Sequence, residues 1–171
     1  LCTQPTLRVP PVKAAIAAGV KAIVVEKPMA LDYTEAAQLQ KLCAEAGVLL
    51  VVNHQKRNMA EWIALKAAIT SGKLGQVSML RSSCYGNLLS QGTHMLDQAW
   101  NVLGEPQPKW LVAGVDARLS EAPNHPAPRN ANLLIAYANG VRGSFAIGND
   151  APEVPNSRAT WFWCNIEVRG T

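Results

Sequence analysis

Apolar residues follow two different rhythms along the chain. In the first fifty-odd residues, short all-apolar runs alternate with helical patterns. Val12, Ala15 and Ile16 share one face of a segment that opens at Pro10-Pro11, where a first helical turn tolerates proline, and stops at Gly19. Ala22-Ile23-Val24-Val25 follows as a continuous apolar strand. Asp32 and Glu35 have the spacing of a capping box. Ala36, Leu39, Leu42, Cys43 and Ala46 form the apolar face of the helix they open, and Gly47 ends it. Val48 to Val52 is a second all-apolar strand. Strands apolar on both faces and separated by helices predict a parallel sheet covered on both sides, in the order of the later part of a doubly wound domain.

The rhythm changes after Asn53. Asn58 and Glu61 have the spacing to cap a helix reaching about Ser71-Gly72, with Trp62, Leu65 and Ile69 inward. Gln76 to Tyr85 alternates as a strand does. A helix from about Thr93 to Leu103 is stopped by Gly104, with Leu96, Ala99, Trp100 and Leu103 as its apolar face. Lys109–Leu119, Ala131–Ala138, Val141–Ile147 and Arg158–Val168 then read as strands. Asn139-Gly140 is a hairpin turn signal. Strands joined this way predict an antiparallel sheet, and this half reads as α+β. The run Glu121–Asn130 holds three prolines and reads as an irregular loop.

Composition narrows the class. Apolar residues make up 49% of the 171 and charged residues 16%, which excludes a disordered chain. A chain of this length buries roughly 70% of its unfolded surface, so its core needs no disulfide or metal. The net charge is +4, but the longest basic cluster is Lys56-Arg57, which excludes a nucleic-acid stripe. No apolar run approaches the ~20 residues of a membrane span. Cys2, Cys43, Cys84 and Cys164 form no CxxC pair and have no metal-ligand spacing, so all four read as reduced thiols of a cytoplasmic protein.

Three places carry candidate chemistry. Glu26-Lys27-Pro28 stands directly after an apolar strand, at the carboxyl end where parallel α/β sheets bind ligands. A lysine there can be partly desolvated, and Pro28 biases it to extended backbone. The competing reading is a solvated charge pair at a strand end. Gly92-Thr93-His94-Met95-Leu96-Asp97 opens a helix with His94 and Asp97 on one face. A histidine there can serve as acid or base. It can equally be a core histidine hydrogen-bonded to Asp97. A metal would need a third ligand, none stands nearby in sequence, and no metal is expected. Asn53-His54-Gln55-Lys56-Arg57 follows the second strand and suits either ligand contact or a solvated linker.

Taken in order, these pieces resemble the Gfo/Idh/MocA oxidoreductases, the family of glucose–fructose oxidoreductase and inositol dehydrogenase. GVKAIVVEKP (19–28) is similar to the strand leading into that family's Glu-Lys-Pro motif. AEAGVLLVVNHQKR (44–57) resembles the following helix, strand and polar stretch, and SGKLGQV (71–77) the entry into its second domain. GTHMLDQAWNVLG (92–104) resembles its Gly-x-His-x-x-Asp helix.

The resemblance implies a Rossmann domain holding NAD or NADP, with a substrate sheet behind it. It implies that Lys27 hydrogen-bonds the reacting hydroxyl, that His94 is its general base, and that Asp97 orients His94 or touches substrate. Thr3 and Pro5 match the loop along the cofactor, though Thr3-Gln4-Pro5 matches the family's Thr-Pro only loosely. The resemblance further implies that Glu26 lies beside the nicotinamide ribose, that Lys27 and Pro28 also contact the cofactor, and that Lys56, Arg57 and Ser90, with His94, lie near the substrate. Many members carry an aspartate where Ser90 stands, four residues before the histidine, so either the acid–base pair is retuned or catalysis is impaired. The family's glycine-rich phosphate loop is not found, and the chain begins at Leu1.

The expectation is therefore a fragment of a longer protein. Residues 1–56 would be the C-terminal part of a Rossmann domain. Residues 57–171 would be an α+β substrate and oligomerisation domain, also incomplete. The expected activity is hydride transfer between a nicotinamide cofactor and a sugar, cyclitol or related polyol, in a homo-oligomer assembled through the antiparallel sheet. The alternative is a non-catalytic member of the same fold that senses nucleotide or binds a partner.

Overall fold

The computed structural model describes residues 1–116, 125–154 and 164–171. Contacts group them into two units. The first is Leu1–His54, joined by a returning segment that includes His125 and Pro126. The second holds the other described residues.

The first unit runs α1 (Val9–Ala17), β1 (Ala22–Glu26), α2 (Tyr33–Glu45) and β2 (Leu49–Asn53). β1 and β2 pair in parallel, from Ala22 opposite Leu49 to Glu26 opposite Asn53. Asp32 caps α2: the Glu35 amide donates to Asp32 Oδ1 at 2.9 Å, while the Glu35 carboxylate reaches back past the cap to the Leu31 amide at 3.4 Å. Val12, Leu39 and Cys43 of the helices pack on Ile23 and Val25 into one apolar cluster. Both helices thus lie on one face of the sheet. The expectation of cover on both faces is corrected here: among the described residues Val24, Leu49 and Val51, which point the other way, remain exposed.

The second unit opens with a 3-10 turn, Gln55–Asn58, and α3 (Ala60–Thr70). Asn58 is not the cap of α3. It belongs to the turn, and the cap position is Met59, with no side-chain hydrogen bond. Then come β3 (Met79–Cys84), a π turn (Leu88–Gly92), α4 (Thr93–Val102), β4 (Pro108–Val115), β5 (Asn130–Tyr137), β6 (Arg142–Gly148) and β7 (Cys164–Arg169). Parts of the strands expected over Lys109–Leu119 and Arg158–Val168 lie outside the described residues.

The sheet has the order β4-β5-β6-β3-β7. Three pairings are antiparallel, and the Asn139-Gly140 hairpin joins β5 to β6, with Gly140 at φ +91° as that turn requires. The sheet as a whole is mixed, because β3 and β6 run parallel, with Leu80 opposite Gly143 and Cys84 opposite Ile147. The π turn, α4, β4 and β5 lie between these two in sequence, so no hairpin fixes their direction.

Trp62 of α3, Met95, Ala99 and Val102 of α4, and Leu80, Cys84, Leu133, Ile135, Phe145 and Ile147 of the sheet form the core. The buried stripe of α4 is rotated from the expected one. Leu96 and Trp100 are only partly buried, and the Trp100 indole donates to the Pro106 carbonyl at 3.0 Å. Gly92 lets the head of α4 approach the sheet, since a Cβ there would stand 3.1 Å from Ile147 and Leu88 side-chain carbons. Among the described residues no helix is long and apolar enough to cross a membrane.

Candidate functional site

Each unit carries its own candidate surface. In the first, β1 and β2 end side by side, so Glu26 and Asn53 are register partners. Asn53 Nδ2 donates to Glu26 Oε1 at 2.6 Å. Lys27 follows, half-buried, and its peptide bond to the buried Pro28 is cis. Arg8, 1% exposed, straps the N-terminal loop to this strand end. Its Nη1 donates to the Leu1 carbonyl and to Thr3 Oγ1, both at 3.1 Å, and its Nη2 donates to the Glu26 carbonyl at 2.8 Å. The Thr3 hydroxyl donates to the Leu7 carbonyl at 2.9 Å, and Pro5 is buried in the same turn. Thr3 and Pro5 therefore shape the loop. His125 also belongs to this unit. Burial pushes its imidazole pKa below the ordinary value, and the charges of Lys27 and Arg8 push it the same way.

In the second unit the 3-10 turn splits the basic pair. Residues in such a turn are about 120° apart, so Lys56 and Arg57 point in different directions. Arg57 grips Asp97 with two hydrogen bonds, Nε to Oδ2 at 2.8 Å and Nη2 to Oδ1 at 2.6 Å. Its Nη1 reaches Glu105 at 2.8 Å, and its guanidinium lies 5.9 Å from the Trp100 ring centroid. The hydrogen bond from Asp97 raises the Arg57 pKa further, against partial burial. Arg57, expected near substrate, is thus occupied as a brace between the turn and α4.

Lys56 turns the other way, to a cavity of about 620 Å³. Gln55, Lys56, Glu61, Gln91 and His94 supply its polar wall, and Trp62, Leu65 and Ile166 its apolar wall. His94, 3% exposed, sits in the first turn of α4, where the preceding π turn delivers it to the cavity. Single π turns inside helices often mark functional positions. Ser90 lies within that turn. Its hydroxyl donates to the Asn87 carbonyl at 3.3 Å, and its amide donates to Asn87 Oδ1 at 2.8 Å. Cys164 of β7 completes the wall, 4.0 Å from Lys56 Nζ.

A family model described as an oxidoreductase family with an NAD-binding Rossmann fold, Gfo/Idh/MocA, matches residues 1–54. Over those residues the chain is similar to the Gfo/Idh/MocA oxidoreductases. It is 30% identical over 127 residues to scyllo-inositol 2-dehydrogenase (NADP(+)) of Bacillus subtilis, covering 64% of this chain and 35% of that protein. It is 41% identical over 63 residues to 1,5-anhydro-D-fructose reductase of Ensifer adhaerens, covering 37% of this chain and 19% of that one. The fold matches an inositol dehydrogenase homologue of Azotobacter vinelandii, solved with NADH and myo-inositol. The TM-score is 0.77 at 21% identity, over 99% of this chain and 47% of that one. The chain thus spans about a third or less of these two curated relatives.

The Gfo/Idh/MocA fold raises the question of which part of a dinucleotide these residues fit. The carboxyl ends of β1 and β2 offer Glu26, Lys27 and Asn53, polar groups suited to a nicotinamide and its ribose. The helix starts of the first unit do not suit a pyrophosphate. Pro10 and Pro11 remove two amides from the first turn of α1, and the Asp32 and Glu35 carboxylates fill that of α2. The described residues therefore fit the nicotinamide end and offer no phosphate cradle.

Reading the sequence missed Arg8, His125 and Cys164. Arg8 carried a weak signal, being a lone cation between a loop and an apolar helix. The other two come into position through chain returns of about eighty residues or more, and no local pattern marks those.

Proposed function

We propose that the protein is an NAD(P)-dependent oxidoreductase that moves hydride between a nicotinamide cofactor and a sugar, cyclitol or related polyol. One observation carries the reading: in a chain similar to this family, a nearly buried histidine at a helix head opens onto a cavity with amide, ammonium and carboxylate groups on one wall and an indole on another. Glutamine side chains both donate and accept, which suits vicinal hydroxyls. The Trp62 ring suits the C–H face of a sugar ring.

A nicotinamide held at Glu26, Lys27 and Asn53 would supply the hydride acceptor for the carbinol carbon. His94 then takes the hydroxyl proton as general base, and Lys27 hydrogen-bonds that hydroxyl and stabilises its developing negative charge. Asp97, whose carboxylate oxygens both accept from Arg57, orients His94 or touches substrate from the head of α4. Glu26, with Thr3, Pro5 and Pro28 around it, shapes the nicotinamide surface. Lys56 contacts substrate, and Ser90 sets the π turn that presents His94. We keep residues 1–56 and 57–171 as the cofactor and substrate domains.

The homo-oligomer belongs to the same reading. Its support is β4, whose Trp110, Leu111, Val112 and Val115 are all exposed apolar side chains on an edge strand. A Trp110→Glu variant is expected to reduce the assembly seen by light scattering. Assembly unchanged in that variant would move the interface elsewhere.

A second reading is a non-catalytic sensor. It is favoured by Ser90 in place of an acid and by Asp97 being held by Arg57. The whole protein incubated with NAD(P) and a polyol panel separates the two readings. The enzyme produces reduced cofactor, whereas the sensor binds cofactor and produces none.

A further inference from the structure

Cys84 and Cys164 lie 80 residues apart in sequence and directly opposite each other in the β3–β7 ladder. Their side chains share the sheet face that meets α3 and α4. Opposed residues in an antiparallel pair have Cα atoms about 4.5 or 5.5 Å apart, and both values lie within the range a disulfide spans. The two environments differ. Cys84 is fully buried, while Cys164 is half-exposed at the wall of the 620 Å³ cavity. Lys56 Nζ stands 4.0 Å from Cys164 Sγ.

We propose that Cys164 and Cys84 form a peroxide-sensitive dithiol, in which Cys164 is the attacking thiolate and Cys84 the resolving thiol. The Cys84 thiol donates a hydrogen bond to the Cys164 sulfur, and this holds the Cys164 pKa below the ordinary thiol range. Burial opposes that shift, and the Lys56 charge adds to it. The same hydrogen bond, followed by burial, raises Cys84, which keeps its proton until it is needed. The Cys164 thiolate attacks one oxygen of hydrogen peroxide. The O–O bond breaks, hydroxide leaves, and sulfur, oxidised by two electrons, becomes a sulfenic acid. Cys84 sulfur then displaces the sulfenic hydroxyl, which leaves as water with the Cys84 proton. The balance is two thiols and one peroxide to one disulfide and two waters.

The other two cysteines act as internal controls. Cys43 is 1% exposed in an apolar cluster, with its thiol raised by burial, and Cys2 is exposed with no cysteine opposite it in a strand ladder. The proposal stands apart from the dehydrogenase reading, since its measurements follow thiols and not turnover.

The test treats the whole protein with hydrogen peroxide, blocks remaining thiols with N-ethylmaleimide, and maps peptides without reductant. A Cys84–Cys164 linkage that dithiothreitol reverses is expected, with Cys43 still blocked as a thiol. In Cys84→Ala the Cys164 sulfenic acid should persist and be captured by dimedone. Should that core variant fail to fold, the wild-type protein still decides by iodoacetamide. Labelling of Cys164 should reach half its plateau at a pH below the ordinary thiol value of about 8.5 and be several-fold slower at pH 7 in Lys56→Met. Peroxide treatment that leaves Cys84 and Cys164 unlinked would overturn the proposal, as would Cys164 labelling indifferent to Lys56.

Discussion

Two arginines, one in each unit, hold the two candidate surfaces by different physics. Arg8 in the first unit is fully buried and donates to carbonyls and a hydroxyl, so it fixes backbone: the Thr3 loop against the end of β1. Arg57 in the second is about a third exposed and binds two carboxylates, so it fixes side chains: Asp97 and Glu105 beside α4. Among the described residues Arg8 has no carboxylate hydrogen-bonded to it, and its removal takes a donor from several acceptors at once. A part-exposed guanidinium paired with acids is screened by water. The first surface is therefore a rigid continuation of two strands, whereas the second is a cavity assembled from a turn, a helix head and a strand remote in sequence.

That contrast can be broken by experiment. The largest effect expected is on chemistry in the second unit. His94→Ala in the whole protein should lower turnover by about 10²–10⁴-fold, the usual size of general acid–base assistance, with cofactor affinity nearly unchanged. Steady-state kinetics beside a cofactor titration checks this. Lys27→Met in the first unit should lower turnover toward the smaller end of that range, because in the proposed mechanism Lys27 assists a proton that His94 takes. It should leave the denaturation midpoint in place, since Lys27 is only half-buried at a strand end. A large stability loss in that variant would make Lys27 structural.

The two arginines should separate in stability. Arg8→Met takes a donor from the Glu26 carbonyl and the Thr3 hydroxyl, while the Leu1 carbonyl keeps the Glu26 amide, and should destabilise the first unit by about 3 kcal/mol, read from urea unfolding. Asp97→Asn keeps shape and removes one charge from a part-exposed bridge, so about 1 kcal/mol is expected. Equal losses in the two variants would remove the distinction between a backbone clamp and a side-chain brace.

Much of the first unit was legible because its elements are local. The Asp32–Glu35 cap of α2, the apolar runs of β1 and β2, and Glu26-Lys27 at a strand end each sit within a few residues. In the second unit the Asn139-Gly140 hairpin and the position of His94 at a helix head were legible for the same reason. The parallel pairing of β3 with β6, the opposition of Cys84 and Cys164, and the divergence of Lys56 from Arg57 were not. The first two depend on register between segments far apart in sequence. The third depends on a 3-10 turn where a helix cap seemed to stand at Asn58. The π turn at Leu88–Gly92 was also hidden, since no local pattern marks it; it ends where Gly92 packs closely on Ile147. The uncovered face of β1 and β2 misled for a related reason. An all-apolar strand states that both faces are hydrophobic, and it does not state which residues cover them.

The central claim is hydride transfer from a polyol, and isotope transfer tests it directly. The whole protein is incubated with NAD or NADP and a panel of polyols deuterated at the carbinol carbons, and the reduced cofactor is weighed by mass spectrometry. The account predicts reduced cofactor carrying one deuterium from at least one cyclitol or sugar, and none when His94 is replaced by alanine. Cofactor that binds yet gains no deuterium from any member of the panel would contradict it and leave the sensor in its place.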